Sequence, residues 1–275
     1  MHMKDDQLIS SSFTRAKVGL ALGGGVVRGF AHLGVISVLE EAGIPIDLIS
    51  GSSAGSLVGA LYCYGLSTRE ALDQARHLNW LKLISLTFPS QGIFSFNKLE
   101  RWLDNLIGPI DFADLAKPFA AVATDLNTGE RVILNEGKLS PAVRASCSIP
   151  GFFEPREING RVLGDGSLVD SIPVESARML GADYVIGVDI LTPTVREQWG
   201  ALGYGIDALE IVFQRTGGGY TQADCLISPY LAGCTYLRFS KVQDLYQRGQ
   251  QAAREMLPTI RADLGALAVS TYVSS

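Results

Sequence analysis

The segment 17–23, KVGLALG, is apolar at nearly every position and runs straight into a glycine cluster. A strand with one wet face alternates apolar and polar residues, whereas a strand covered on both faces reads as an unbroken apolar run. Behind the glycines, Phe30, Leu33, Ile36 and Leu39 fall on one helical stripe, Gly43 supplies a left-handed stop and Pro45 blocks continuation. The cycle repeats at once, with a strand over 46–50, a small-residue turn over 51–55 and a helix over 56–64. Further strands are expected at AAVATDL (120–126), RVILNE (131–136), RVLGDG (161–166) and YVIGVDI (184–190), with helices over 141–147 and 174–180. Buried strands alternating with helices predict an α/β fold, a three-layer sandwich around a mainly parallel central sheet.

At 275 residues the chain has room for one large domain or two modest ones. No repeat, low-complexity tract or Pro/Ser-rich linker divides it, so the sequence predicts a polar N-terminal tail over 1–15 and one α/β domain over 16–275. Hydrophobic residues make up 47% and charged residues 19%, which excludes a disordered chain. Residues 80–97 break the texture, carrying Leu81, Leu83, Ile84, Leu86, Phe88, Ile93, Phe94 and Phe96 among Pro89, Ser90 and Gly92 with no clean period. They read first as a core-packing loop and second as a lid.

Acidic residues number 28 against 23 Lys and Arg, so no chain-wide basic field exists to collect nucleic acid or anionic headgroups. Apolar runs are interrupted well before the roughly 18 residues of a membrane span, and the polar start lacks the apolar stretch of a secretory signal. The expectation is a cytoplasmic protein whose membrane contacts, where it has them, are peripheral. Cys63, Cys147, Cys225 and Cys234 form no C-x-x-C pair and share no metal spacing with the histidines, which predicts buried, reduced thiols and no metal site.

Gly51-Ser52-Ser53-Ala54-Gly55 fits G-x-S-x-G between an expected strand and helix, the context that a nucleophilic serine turn requires. Small flanking residues let Ser53 project from the strand end, and the helix behind it offers unpaired N–H groups to a developing oxyanion. A Gly/Ser turn without chemistry is the competing reading. The loop Gly23-Gly24-Gly25-Val26-Val27-Arg28-Gly29 departs from the dinucleotide fingerprint, because Arg28 or Val26 stands where a glycine is needed. It also departs from the phosphate-binding loop, because Phe30 follows Gly29 in place of Lys. Adjacent backbone donors at Gly24, Gly25 and Val26 suit an oxyanion hole, and a glycine turn that merely packs helix on strand fits equally.

A serine nucleophile needs a base, and ordinary α/β hydrolases run Ser, then Asp or Glu, then His, whereas this chain has only His2, His32 and His77 and no histidine after His77. His32 reads as a packing or loop-bracing residue. A carboxylate is therefore expected, and Asp165 leads because Gly164-Asp165-Gly166-Ser167 closes a strand. Parallel strands ending on one side of a sheet bring distant residues into one crevice. An ordinary Asp-Gly turn is the alternative.

The run GLALGGGVVRGFAHLGVISVLEEAGI (19–44), the GSSAG turn and GDGSLVDSIPVESARMLGADYVIGVD (164–189) together resemble the patatin-like phospholipases, especially bacterial members related to neuropathy-target-esterase domains. ATDLNTGE (123–130) and RASCSIPGFFEP (144–155) are similar to the family's intervening segments, so the resemblance covers roughly 17–190 in order. It implies a patatin-like sandwich that hydrolyses lipid or lysophospholipid esters with a Ser-Asp dyad and no cofactor. By that resemblance Ser53 is the nucleophile, Asp165 the base and the Gly24, Gly25 and Val26 amides the oxyanion hole. Arg28 then braces the loop or approaches the substrate. Val26 stands where the family pattern places a third glycine, and Ser167 where it commonly places Gly or Ala. A lipid-binding or regulatory protein that keeps the fold is the alternative function. Residues 217–219 and 243–264 stay unassigned.

Overall fold

A computed structural model describes residues 15–87, 92–192, 200–234, 236 and 239–273. Nearly all of the expected tail, 1–14, lies outside the described residues. In chain order come β1 (Val18–Leu22), α1 (Phe30–Glu41), β2 (Leu48–Ser52), α2 (Ala54–Tyr64), α3 (Thr68–Arg76), α4 (Trp80–Leu83), β3 (Ser85–Leu86) and β4 (Phe94–Ser95). Next are α5 (Asn97–Ile107), β5 (Phe119–Asp125), β6 (Arg131–Leu134), α6 (Leu139–Ser146), β7 (Arg156–Ile158) and β8 (Arg161–Asp165). The chain closes with α7 (Val174–Met179), β9 (Tyr184–Val188), α8 (Gly200–Phe213), α9 (Gly219–Gln222), β10 (Cys225–Ile227) and α10 (Val242–Val273).

One eight-stranded sheet carries the fold, and β10, β9, β1, β2 and β5 lie side by side and parallel. Every residue of β1, β2, β5 and β9 is buried, as in strands covered on both faces. Strand alternation sends Val18, Leu20 and Leu22 into a large core shared with α1, α2 and α10. Ala21, with Leu48 and Val185 of the neighbouring strands, faces a smaller core built on Val174 and Ala177 of α7. The three layers are thus helices, sheet and helices.

The other three strands are antiparallel, which the sequence pattern did not reveal. Only residues 126–130 join β5 to β6, too few for a crossover, so the pair forms a hairpin. β7 and β8 form another hairpin on Asn159-Gly160, where φ is 52° and 75°. β6 pairs with Ala121–Thr124 of β5, whereas β2 pairs with Phe119–Val122 and β8 with Ala123–Asp125. Each residue has two edges, so the shared positions force β2 and β8 onto the same edge of β5, opposite β6. They run toward each other along it, and Ser52 ends opposite Val122 while Asp165 ends opposite Ala123. The expectation that Asp165 closes a parallel strand is therefore corrected: it arrives on an antiparallel strand that meets β2 end to end.

Helix α1 is buried from Ala31 through Leu39, on all sides, because it shares the large core with the sheet and is covered by α10 and α3. The crossing with α10 admits no side chain at its centre. A Cβ on Gly34 would lie 2.0 Å from the Tyr246 carbonyl oxygen, and one on Gly249 2.0 Å from that of Ala31. Backbone cannot swing aside as a side chain can. Gly34→Ala is expected to lower the unfolding free energy by about 1–3 kcal/mol in urea denaturation. Gly265→Ala, in the same helix α10 but with nothing within 4 Å, is expected to raise it by up to about 1 kcal/mol.

Candidate active site

Ser53 stands between β2 and α2 with φ 51° and ψ −121°, a conformation that L residues avoid. Three buried hydrogen bonds hold it there. Its N–H donates to Ser146 Oγ at 2.9 Å, and its carbonyl accepts from Ser56 Oγ at 2.6 Å and from Cys147 Sγ at 3.2 Å. The turn also needs the glycine at its end, since a Cβ on Gly55 would meet the Leu22 carbonyl oxygen at 2.0 Å. Ser146 and Cys147 come from the end of α6, which Arg144 fastens through ion pairs to Glu100 and Glu154 at 3.1 and 3.2 Å. Nothing in the spacing of these residues announces their link to Ser53.

Asp165 is 0% exposed and its main chain is held on both sides. Its N–H donates to the Ser148 carbonyl at 2.8 Å, and its own carbonyl accepts from Thr124 Oγ1 at 2.7 Å. Oδ1 accepts the Ser167 N–H at 2.8 Å, while Oδ2 is buried without a hydrogen bond. Burial raises the carboxyl to about 6, against the Ser167 N–H and the hydroxyls of Ser53 and Ser167, which favour the charged form. The Ser53 hydroxyl thus favours the charged carboxylate, while Oδ2 carries no hydrogen bond.

The glycine loop differs from expectation at one position. The Gly24 N–H donates to the Ser171 carbonyl at 3.3 Å, so it is not free to face the site. Gly24 serves by lacking a side chain: a Cβ there would lie 2.2 Å from Ser167 Oγ and 3.2 Å from Ser53 Cβ. Among the described residues no acceptor takes the N–H of Gly25 or Val26, and Val26 has φ 51°. That is glycine's territory, and it falls at the position where the family pattern has glycine.

Arg28 is 0% exposed and braces the loop from outside. Its guanidinium donates to the carbonyls of Cys234 and Leu191, both at 3.0 Å, and of Ile190 at 3.1 Å. Of the two roles expected for it, these contacts fit bracing. His32 braces from inside, with Nε2 2.8 Å from the Gly23 carbonyl oxygen, which makes that nitrogen the proton donor. Burial lowers its pKa to about 4, so the ring is neutral at pH 7 and its donor is occupied.

An apolar cavity of about 80 Å³ opens on Ser53, walled by Val26, Leu57, Phe96, Phe153 and Phe239 among others. Phe96 stacks on Phe153 with centroids 3.8 Å apart. Residues 80–97 therefore divide: Leu83 and Phe96 are buried in the cavity wall, whereas Leu81 and Leu86 are 82% and 80% exposed. Residues 88–91 of that segment lie outside the described ones. No helix among the described residues is long and apolar enough to cross a membrane.

A strand, a strained serine turn and a helix on a mainly parallel sheet define an α/β protein with a buried serine turn at the end of a central strand. A family model described as patatin-like phospholipase matches residues 20–178, more than half of the chain, and the chain belongs to that family. An uncharacterised NTE family protein of Mycobacterium tuberculosis is 38% identical over 177 residues, 63% of this chain and 49% of its own length. Human patatin-like phospholipase domain-containing protein 6 is 33% identical over 196 residues, 68% of this chain and 14% of the human protein. Lysophospholipase NTE1 of Coccidioides immitis is 30% identical over 288 residues, 90% of this chain and 18% of the fungal one. The chain thus spans about half the length of the mycobacterial relative and under a fifth of the other two. The crystal structure of VipD from Legionella pneumophila shares the fold, with TM-score 0.54 at 15% identity over 88% of this chain and 67% of that one.

The Asp165 environment has a consequence for stability. Its folded pKa of about 6 lies above the unfolded value near 3.9, so the charged form is penalised only in the folded state. That penalty is complete above pH 6 and disappears as pH falls below 4. Asp165→Asn removes it. The variant is expected to be more stable than wild type at pH 7.5, by on the order of 2 kcal/mol, with the difference closing toward pH 4 in thermal unfolding across that range.

Proposed function

We propose that this chain is a serine acyl hydrolase acting on lipid or lysophospholipid esters, with Ser53 as nucleophile and Asp165 as general base. The observation that carries the reading is the end-to-end meeting of β2 and β8 on one edge of β5, which sets the serine turn beside a buried carboxylate. Asp165 takes the Ser53 Oγ proton as Oγ attacks the ester carbonyl. The N–H groups of Gly25 and Val26 stabilise the oxyanion, and the positive end of α2 supports the same charge. Collapse of the tetrahedral intermediate expels the alcohol, which receives the proton from Asp165, and leaves an acyl ester on Ser53. Water then attacks that ester, Asp165 accepts the water's proton, and Ser53 takes it back as the fatty acid leaves.

A carboxyl at about 6 suits this work, being ionised at neutral pH yet more basic than an ordinary aspartate. The cavity on Ser53 fits an acyl chain, and its walls offer a headgroup no charge to pair with. Leu81 and Leu86, exposed on the segment that also lines the cavity, support a peripheral contact with the aggregate that supplies the lipid. The lysophospholipase named among the relatives supports the same substrate class.

Turnover of short-chain and long-chain p-nitrophenyl esters by wild type, Ser53→Ala and Asp165→Asn tests the assignment. Each substitution is expected to reduce kcat/KM by on the order of 10³-fold or more in folded protein. Wild-type kcat/KM is expected to fall on an acid limb near pH 6, as Asp165 takes up a proton and loses its function as base. A folded wild type that is inert on these esters and on lysophospholipid micelles, yet binds the lysophospholipid, would overturn the reading in favour of a lipid-binding protein.

A further inference from the structure

The glycine loop is gripped from outside by residues beyond the stretch that the family model matches. Arg28 sends its guanidinium to the carbonyls of Ile190, Leu191, Leu231 and Cys234, and to the Tyr236 hydroxyl at 3.2 Å, all beyond residue 178. Tyr236 holds the loop at three points. Its carbonyl accepts the Val27 N–H at 3.2 Å, its ring lies under the Arg28 guanidinium at 4.3 Å, and its hydroxyl accepts from Arg28 Nη1. The same hydroxyl donates to Glu210 Oε1, on a side chain of α8 that is 3% exposed. Glu210 therefore fixes the phenol, and the phenol fixes the arginine.

The grip matters because the loop it holds is strained. Val26 is β-branched and sits at φ 51°, a conformation that L residues avoid and that relaxes unless its neighbours forbid it. The next peptide is the one tied to the Tyr236 carbonyl. Rotation of Val26 toward the right-handed region would swing that peptide away from Tyr236 and turn the N–H groups of Gly25 and Val26 with it. We propose that Tyr236, braced by Glu210, is a positioning residue that holds Val26 in its left-handed conformation and so aims the Gly25 and Val26 N–H groups at the reacting carbonyl. This inference rests on the acyl-hydrolase reading, and nothing in the chemistry requires Tyr236 to touch substrate.

Tyr236→Phe keeps the ring and the main-chain acceptor while losing the hydroxyl, and Tyr236→Leu loses the ring as well. Two measurements on the full chain separate the possibilities. In ester turnover, Phe is expected to lower kcat about 5- to 10-fold and Leu on the order of 10²-fold, with KM within about threefold of wild type, as expected for misplaced reacting groups. In hydrogen exchange, the amides of residues 23–29 are expected to exchange about tenfold faster in Tyr236→Leu while the β5 amides stay protected. If Leu fails to fold, Phe still decides the matter, with a smaller acceleration at 23–29. Unchanged exchange at 23–29 in the folded variants overturns the clamp. Faster exchange with kcat unchanged, or a loss confined to KM, overturns the positioning role. A wild type without turnover overturns the hydrolase reading and with it the catalytic part of this one, while exchange still reports whether Tyr236 holds the loop.

Discussion

The meeting of β2 and β8 on one edge of β5 is the constraint on which the rest of the site depends. An edge normally belongs to one partner strand along its whole length, but here β2 uses its first half and β8 its second. At the junction the backbone is packed to contact. A Cβ on Gly166 would lie 2.1 Å from the Val122 carbonyl oxygen, and Ser52 Oγ donates to the Asp170 carbonyl at 2.5 Å. Neither turn can shift along β5 without breaking its ladder. The relative placement of Ser53 and Asp165 is thereby set by sheet register, which is stiffer than any loop.

The same junction decides the electrostatics. Two aspartates five residues apart are both driven to about 6 by burial, yet their surroundings differ in kind. Asp170 has Arg131 at 2.9 Å, a cation that favours its charged form but does not outweigh desolvation, and nearby Glu175 opposes ionisation further. Among the described residues Asp165 is held by hydrogen-bond donors and not by a cation. A cation against Asp165 would stabilise the carboxylate and weaken it as a base. Donors alone leave it ionised at neutral pH yet more basic than an ordinary aspartate, which is what the proposed reaction asks of its base.

Much of this was legible in the residues, and the exceptions have physical reasons. Continuous apolar runs marked the buried strands β1, β5 and β9 because two-sided burial removes alternation from the pattern. Strand direction was missed where hairpins replace crossovers, although Asn159-Gly160 is a local signal that names the β7–β8 turn. The supports of Ser53 left no trace, because Ser146 and Cys147 lie 93 and 94 residues away and meet it only once α6 has docked. The role of Arg28 does not follow from sequence, which leaves bracing and substrate contact both open. Its partners include backbone carbonyls of residues more than 160 positions on, and a carbonyl carries no side-chain identity to be read.

Two non-glycine residues at φ 51°, Val26 and Ser53, flank the cavity, and their shared strain has a common logic. In the proposed reaction a relaxed turn could rotate its N–H groups toward water, and they would have to be turned back as the oxyanion forms. A strained turn pinned by buried hydrogen bonds holds its donors in place before substrate arrives, and the reorganisation is completed during folding. At Ser53 the pins are Ser56, Ser146 and Cys147; at the glycine loop they are His32, Arg28 and Tyr236. The two sets share no residue. The serine turn and the glycine loop are therefore pinned by separate side chains, with the sheet as their common reference.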